Sequence, residues 1–219
     1  MNIGAGTAAA IFDNAREHRI WRSDEVHNLE INLLHQNVYA GQHGSQLTFL
    51  AGARYFKFDE GLIFGSVSSG NEFGSAGGVN EAYLEVQTED NLVGFQVGAQ
   101  CDHYFTPCLS LYATPKIGIY GNNMNATSRL YRGDGLEVFN IDGQKSDFSM
   151  LGQLDVGLNY TIGCNTRLFG GYRALAVSGI ALSDQQIPPF LADTAGFATL
   201  ESNADLILHG AFAGVEVRF

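Results

Sequence analysis

From residue 109 to 122 the chain alternates without a break. Leu109, Leu111, Ala113, Pro115, Ile117 and Ile119 fall on one side; Ser110, Tyr112, Thr114, Lys116, Gly118, Tyr120 and Asn122 fall on the other. A period of two is that of a β-strand, whose successive side chains point to opposite faces. One face is apolar and the other polar, so the sheet built from this segment divides two environments. A soluble barrel turns the apolar face inward, and a membrane barrel turns it outward. The direction of that face decides the function.

The same pattern recurs along the chain. Strand one is read over 26–38, with Leu29, Ile31 and Leu33 opposite Asn28, Glu30 and Asn32. Strand two covers 46–58, strand three 83–104 and strand four the segment above. Strands five, six and seven cover 150–161, 166–179 and 205–219. Residues 1–22 read as a lead-in, loop or short helix, and 23–219 as one barrel domain. The connections alternate in length: short at 41–45, 106–108 and 163–165, long at 65–80, 124–146 and 180–203. Tight turns at one end and long loops at the other are the asymmetry of an outer-membrane barrel. The expected fold is all-β, an antiparallel up-and-down transmembrane β-barrel. About seven strands lie in this chain, as part of a barrel of eight to ten or more. An odd strand in lipid leaves a row of unsatisfied backbone groups. The preferred account is a domain incomplete at its amino end, which also explains why Met1 to Gly6 form no signal peptide.

Composition agrees with long strands and excludes several functions. The chain of 219 residues has 27 Gly, only 4 Pro and 11% aromatic residues. Charged residues make up 16%, against about 25% in an average domain. The net charge of −11 and the scattering of 12 Lys and Arg exclude a nucleic-acid partner. No apolar run is long enough for a transmembrane helix. Spanning strands escape that test, because every second side chain faces the lumen. A mean hydropathy of −0.02 suits such cancellation.

The last six residues, Gly214-Val215-Glu216-Val217-Arg218-Phe219, space hydrophobic residues at alternate positions and end on an aromatic. They resemble the signal read by the outer-membrane barrel assembly machinery, with Gly214, Val217 and Phe219 as its elements. Recognition there is strand addition to an open edge. Longer stretches resemble a family: Leu50-Ala51-Gly52-Ala53-Arg54-Tyr55-Phe56, Thr88 to Gly98, Lys116-Ile117-Gly118-Ile119-Tyr120-Gly121-Asn122, Gly170-Gly171-Tyr172-Arg173 and His209 to Gly214. Together they are similar to planctomycete outer-membrane β-barrel porins, over about residues 25–219. Members of that family carry further strands before the position of Val26. The resemblance implies an outer-membrane location more than any particular solute.

The side chains expected to line the lumen are Glu30, Arg54, Gln96, Gln100, Asp102, Lys116, Gln153, Asp155, Arg173, Glu216 and Arg218. Both signs are present. They either line a pore with a transverse field or pair to fill a narrow interior. The acids Asp59, Glu60, Glu72, Glu81, Asp134, Glu137 and Asp142 fall in or beside the expected long loops, where they enrich cations at a pore mouth. His35, His103 and His209 sit on outward faces near strand ends, comfortable depths for an amphipathic ring. No metal-ligand spacing, phosphate loop or Ser-His-carboxylate set emerges, so neither a cofactor nor an enzymatic reaction is expected. Cys108 and Cys164 lie in neighbouring turns and are expected to be free thiols. Arg132-Gly133-Asp134 reads as a turn.

The expected function is a porin-like passive channel or structural barrel of the outer membrane. Its partners are lipid, the assembly machinery and small solutes or ions. The alternative is a soluble, lipocalin-like barrel that binds a small hydrophobic ligand. In that alternative Leu109, Leu111, Ile117 and Ile119 are buried and Lys116 is exposed.

Overall fold

The computed structural model describes residues 8, 10–37, 44–74, 78–163, 165–191 and 193–217. Among them seven strands follow in order: β1 (Ala15–Asn37), β2 (Ser45–Ser68), β3 (Glu81–Thr106), β4 (Leu109–Arg132), β5 (Glu137–Ile162), β6 (Thr166–Ile180) and β7 (Ala204–Val217). Each pairs antiparallel with the next, giving one meander with β1 and β7 at its edges. The sheet is not closed in this chain. β1 enters from the end that carries the longer connections, and β7 leaves at the end that carries the short turns.

Two boundaries differ from the sequence reading. β1 starts at Ala15, so 15–22 are strand; among the described residues of the lead-in, 8 and 10–13 are helical. The loop expected over 124–146 is instead a continuation of β4 and β5 around a tight turn at 133–136. There Gly135 has φ 89°, and its N–H donates to the Arg132 carbonyl at 2.8 Å. A positive φ is open to glycine without strain. The Asp142-Gly143 pair lies within β5, where Asp142 Oδ1 accepts from Thr127 Oγ1 on β4 at 2.8 Å.

The reason for the longer strands is a reversal of polarity part-way along them. β2 to β5 have 24 to 26 residues each, roughly twice the 9–11 that cross a bilayer. Near the short turns the outer face is apolar: Phe95 is 79% exposed and Ile119 63%. Tyr55, Val93, Gly121 and Phe148 stand in register as the last row of that band. The next outward row is Lys57, Asn91, Asn123 and Ser146. Above that row the outer face stays polar up to an aromatic patch of Trp21, Tyr83 and Tyr131 near the loop end, and the apolar residues Phe58, Leu84, Val86, Met124 and Leu130 turn inward and are buried.

Lys57 Nζ anchors the first polar row, 2.9 Å from Asp59 and 3.0 Å from Glu89. Tyr55 straddles the two rows, its ring in the apolar band and its hydroxyl 2.9 Å from Asn91 Oδ1. Amphipathic rings favour such a boundary.

Candidate functional site: the barrel interior

Three layers fill the interior. The layer nearest the short turns is charged and polar. Glu30 on β1 is its hub: Lys116 Nζ on β4 lies 2.8 Å from Oε2, and Gln96 Nε2 on β3 donates to the same oxygen at 2.8 Å. Arg54 on β2 approaches the other oxygen at 3.6 Å and donates through Nε to Asn28 Oδ1 at 2.7 Å. One carboxylate thus faces two cations from different strands.

A second group stands across the interior. Arg173 on β6 binds both oxygens of Asp155 on β5, at 2.7 and 2.8 Å, in the two-pronged geometry that suits a planar guanidinium. Gln153 Nε2 donates to both of those oxygens, and the Arg173 guanidinium sits 5.3 Å above the Phe212 ring. Arg167 and Glu216 form a further ion pair. Asp102 accepts from Gln100 at 2.8 Å and weakly from Asn159 at 3.4 Å. Between these groups lies an open cavity of about 520 Å³, lined by Gln100, Lys116, Asp155, Arg173 and Glu216 among others.

Ten of the eleven expected lumen residues therefore point inward, at the same end of the barrel; Arg218 lies outside the described residues. Arg54, Gln96, Asp102, Gln153 and Asp155 are buried. The soluble-barrel alternative fails on its own terms. Ile117 and Ile119 are exposed, whereas the Lys116 side chain keeps only 11% of its exposure.

The middle layer is mainly apolar. Phe56, Phe58, Leu92, Tyr120, Leu151, Leu175, Val177 and Ile180 form one cluster, none more than 6% exposed. They come from five strands and close over the charged layer. Of the two readings of the interior, this level matches the filled one.

The third layer plugs the loop end. The segment between β6 and β7 folds back into the mouth through a 3-10 turn, Ser183–Gln186, and a short helix, Thr194–Ala198. Phe197 packs among Leu84, Val86 and Leu130, where Ile11 and Phe12 join from the amino side. Gln186 staples the two ends of the segment, exchanging hydrogen bonds of 2.9 Å with the Glu201 backbone. Two buried carboxylates hold its start. Asp90 accepts the Ala181 N–H at 3.1 Å and Asn122 Nδ2 at 2.7 Å. Glu60 accepts the Ser183 N–H at 2.8 Å and pairs with Arg22 through its other oxygen.

These anchors correct the expectation of acids free at a mouth. Asp59, Glu60, Glu81, Glu137 and Asp142 are on strands. Glu60 and Glu81 are buried, and Asp134 and Glu137 pair with Arg132 and Arg129. Asp90 is not among the lumen or mouth residues expected from the sequence. Its only signal there is its even number between Glu89 and Asn91, which puts it on the inward face of β3.

At the carboxyl end, Gly214 lies under the Phe169 ring: a Cβ there would meet Phe169 Cζ at 2.4 Å. Val217 faces outward and is exposed. Phe219, the final element of the expected assembly signal, lies outside the described residues, as does Cys164. Cys101 and Cys108 are exposed and free. His35 and His103 are also exposed, and His209 contacts Tyr172 on the outer face. Among the described residues no cluster of His, Cys, Asp and Glu is arranged to hold a metal ion.

A meander with an apolar outer band and interior ion pairs is the architecture of a porin wall, and a family model described as "Putative beta barrel porin-7 (BBP7)" matches residues 18–219. The chain belongs to this family. No curated protein and no solved structure matches it. The match begins within β1, so all seven strands of this BBP7 chain contribute to the family pattern. The segment over the mouth is also part of it.

Proposed function

We propose that this BBP7 chain forms the wall of an outer-membrane barrel that passes small ions by passive diffusion. The observation that carries the reading is the single-row switch between Tyr55–Val93–Gly121–Phe148 and Lys57–Asn91–Asn123–Ser146. An apolar band ending at one level around four strands suits a bilayer boundary. Such bands stand about 25 Å tall in outer-membrane barrels. Within the band the interior carries Glu30, Arg54, Lys116, Asp155 and Arg173, which set a transverse field for permeating ions. The net charge of −11 favours cations at the entrances.

The seven strands complete their ladder by pairing with further β-structure between β1 and β7. An open edge in hydrocarbon costs several kcal/mol per unpaired backbone group, and bacterial single-chain barrels have even strand numbers. The carboxyl-terminal strand, with Gly214 and Val217, serves the assembly machinery by strand addition.

Planar-bilayer recordings of the protein refolded from detergent test the channel. The expected result is conductance with a reversal potential that favours cations. Silence, or preference for anions, overturns it. A second reading, a structural barrel that conducts nothing, is favoured by the buried apolar layer around Phe56, Leu92 and Tyr120. It predicts no conductance even after the segment between β6 and β7 is excised.

A further inference from the structure

The start of the mouth segment hangs on two carboxylates that burial would otherwise discourage. Asp90 is fully buried, and Glu60 is 2% exposed. Neither is needed to build the sheet, because their backbones already pair within β3 and β2. Their side chains instead accept main-chain N–H groups of Ala181 and Ser183, the first residues beyond β6. Ser183 Oγ adds a bond to the Glu60 carbonyl at 3.3 Å and lies 3.4 Å from Thr88 Oγ1. Pulling the segment out breaks these bonds together and returns both carboxylates to water.

We propose that the segment between β6 and β7 is an acid-tightened latch over the barrel mouth, docked on Asp90 and Glu60 and loosened as the solution turns neutral. The proposal rests on the channel reading only for what the latch closes; the docking itself is independent of it.

The sign follows from the surroundings of Asp90. Burial pushes its carboxyl up to about 6 from an ordinary 3.8, and the hydrogen bonds from Asn122 and Ala181 only partly offset this. The charges of Glu60 and Asp59 on β2 push in the same direction. Arg22 on β1 faces Glu60 and pairs with it. The neighbour from β4 is the neutral Asn122, and on the segment Asp184 is exposed while Ala181 and Ser183 face Asp90 and Glu60. Undocking exposes Asp90 to water and restores its ordinary value, so the docked state holds the proton more tightly. Docking strength is then complete below pH 3.8 and is lost as pH rises through about 6. The docking constant at about pH 5 is roughly tenfold that at about pH 7.5.

Hydrogen exchange of the full chain in detergent micelles, corrected for intrinsic rates, reads the docking constant directly at the Ala181 and Ser183 amides. The expected result is roughly tenfold stronger protection at about pH 5 than at about pH 7.5. Asp90→Asn keeps a carbonyl acceptor for Ala181 but has no proton to exchange, so its protection should be equal at both pH values. Protection in the unsubstituted chain that does not change with pH overturns the proposal. So does a tenfold dependence that survives in Asp90→Asn. Should that variant fail to fold, carbon-13 titration of the Asp90 carboxyl in the unsubstituted chain decides. A midpoint near 6 supports the latch, and one near 3.8 overturns it. Bilayer recordings separate the two readings. Conductance that falls on acidification supports both, whereas pH-dependent protection without any conductance supports the latch and removes the channel.

Discussion

Lys116 on β4 and Glu30 on β1 meet at 2.8 Å across the interior, although two strands separate them in the sheet. The contact is a chord of the barrel. It shows how strongly the sheet curls, and it makes Glu30 the one acid shared by Lys116 and Arg54. Removing that acid should cost more than removing either cation.

For Glu30→Gln we expect a loss of about 3–5 kcal/mol in folding free energy, because two mostly buried cations lose their counter-charge. Lys116→Met should cost less, since Arg54 and Gln96 still serve Glu30. Urea unfolding in lipid vesicles measures both. Equal losses would show that Glu30 is no hub.

The polarity switch gives a depth-dependent prediction. Ile117 and Val97 stand opposite each other near the middle of the apolar band. Ile117→Arg should lower stability in a bilayer by about 2–4 kcal/mol, whereas Asn123→Arg, above the switch, should cost less than about 1. The comparison is made by folding both variants into vesicles. Similar losses at the two sites would argue against a membrane boundary at Tyr55 and Val93.

Gly214 and Gly210 lie on the same face of β7 but meet different neighbours. A Cβ at Gly214 collides with the Phe169 ring, while at Gly210 nothing lies within 4 Å. Gly214→Ala is therefore expected to cost about 1–3 kcal/mol by overpacking, and Gly210→Ala close to nothing. Heat-modifiable gel mobility gives the folded fraction of each. If Gly214→Ala folds as well as the parent, Phe169 has room to turn away.

The apolar layer should respond to a cavity. Phe56→Ala removes a fully buried ring from the cluster with Leu92 and Tyr120, at a cost of about 3–5 kcal/mol. It should also raise single-channel conductance, because the layer separates the charged vestibule from the mouth. Unchanged conductance would place the barrier elsewhere, with the mouth segment as the next element to test.

Much of the wall was legible in the sequence because local alternation is a short-range property. Ile117 and Lys116 declare their faces through neighbours two residues away. The same habit misled over 123–132. There Asn123, Asn125, Thr127 and Arg129 are the outward set, and Met124, Ala126 and Leu130 the inward one. A search for apolar residues facing outward finds nothing in that stretch and returns a loop. The alternation never stopped; only its sense reversed. Glu17, Arg19 and Arg22 were hidden likewise, being charged residues on a strand that stands above the apolar band.

The anchors of the mouth segment were illegible for a different reason. Asp90 meets Ala181 across 91 positions of chain, and nothing near Asp90 announces that pairing. The interior pairs were half legible. Parity put Glu30 and Lys116 inside, but which cation met which acid depends on the curl of the sheet.

The reversal of polarity also sets how far the protein reaches. With the Tyr55–Val93 row at the lipid headgroups, residues 81–92 of β3 lift the rim about 25–30 Å beyond them. On the proposed placement the strands would stand as a turret above the bilayer, and approaching molecules would meet a capped rim well before the level of the lipid.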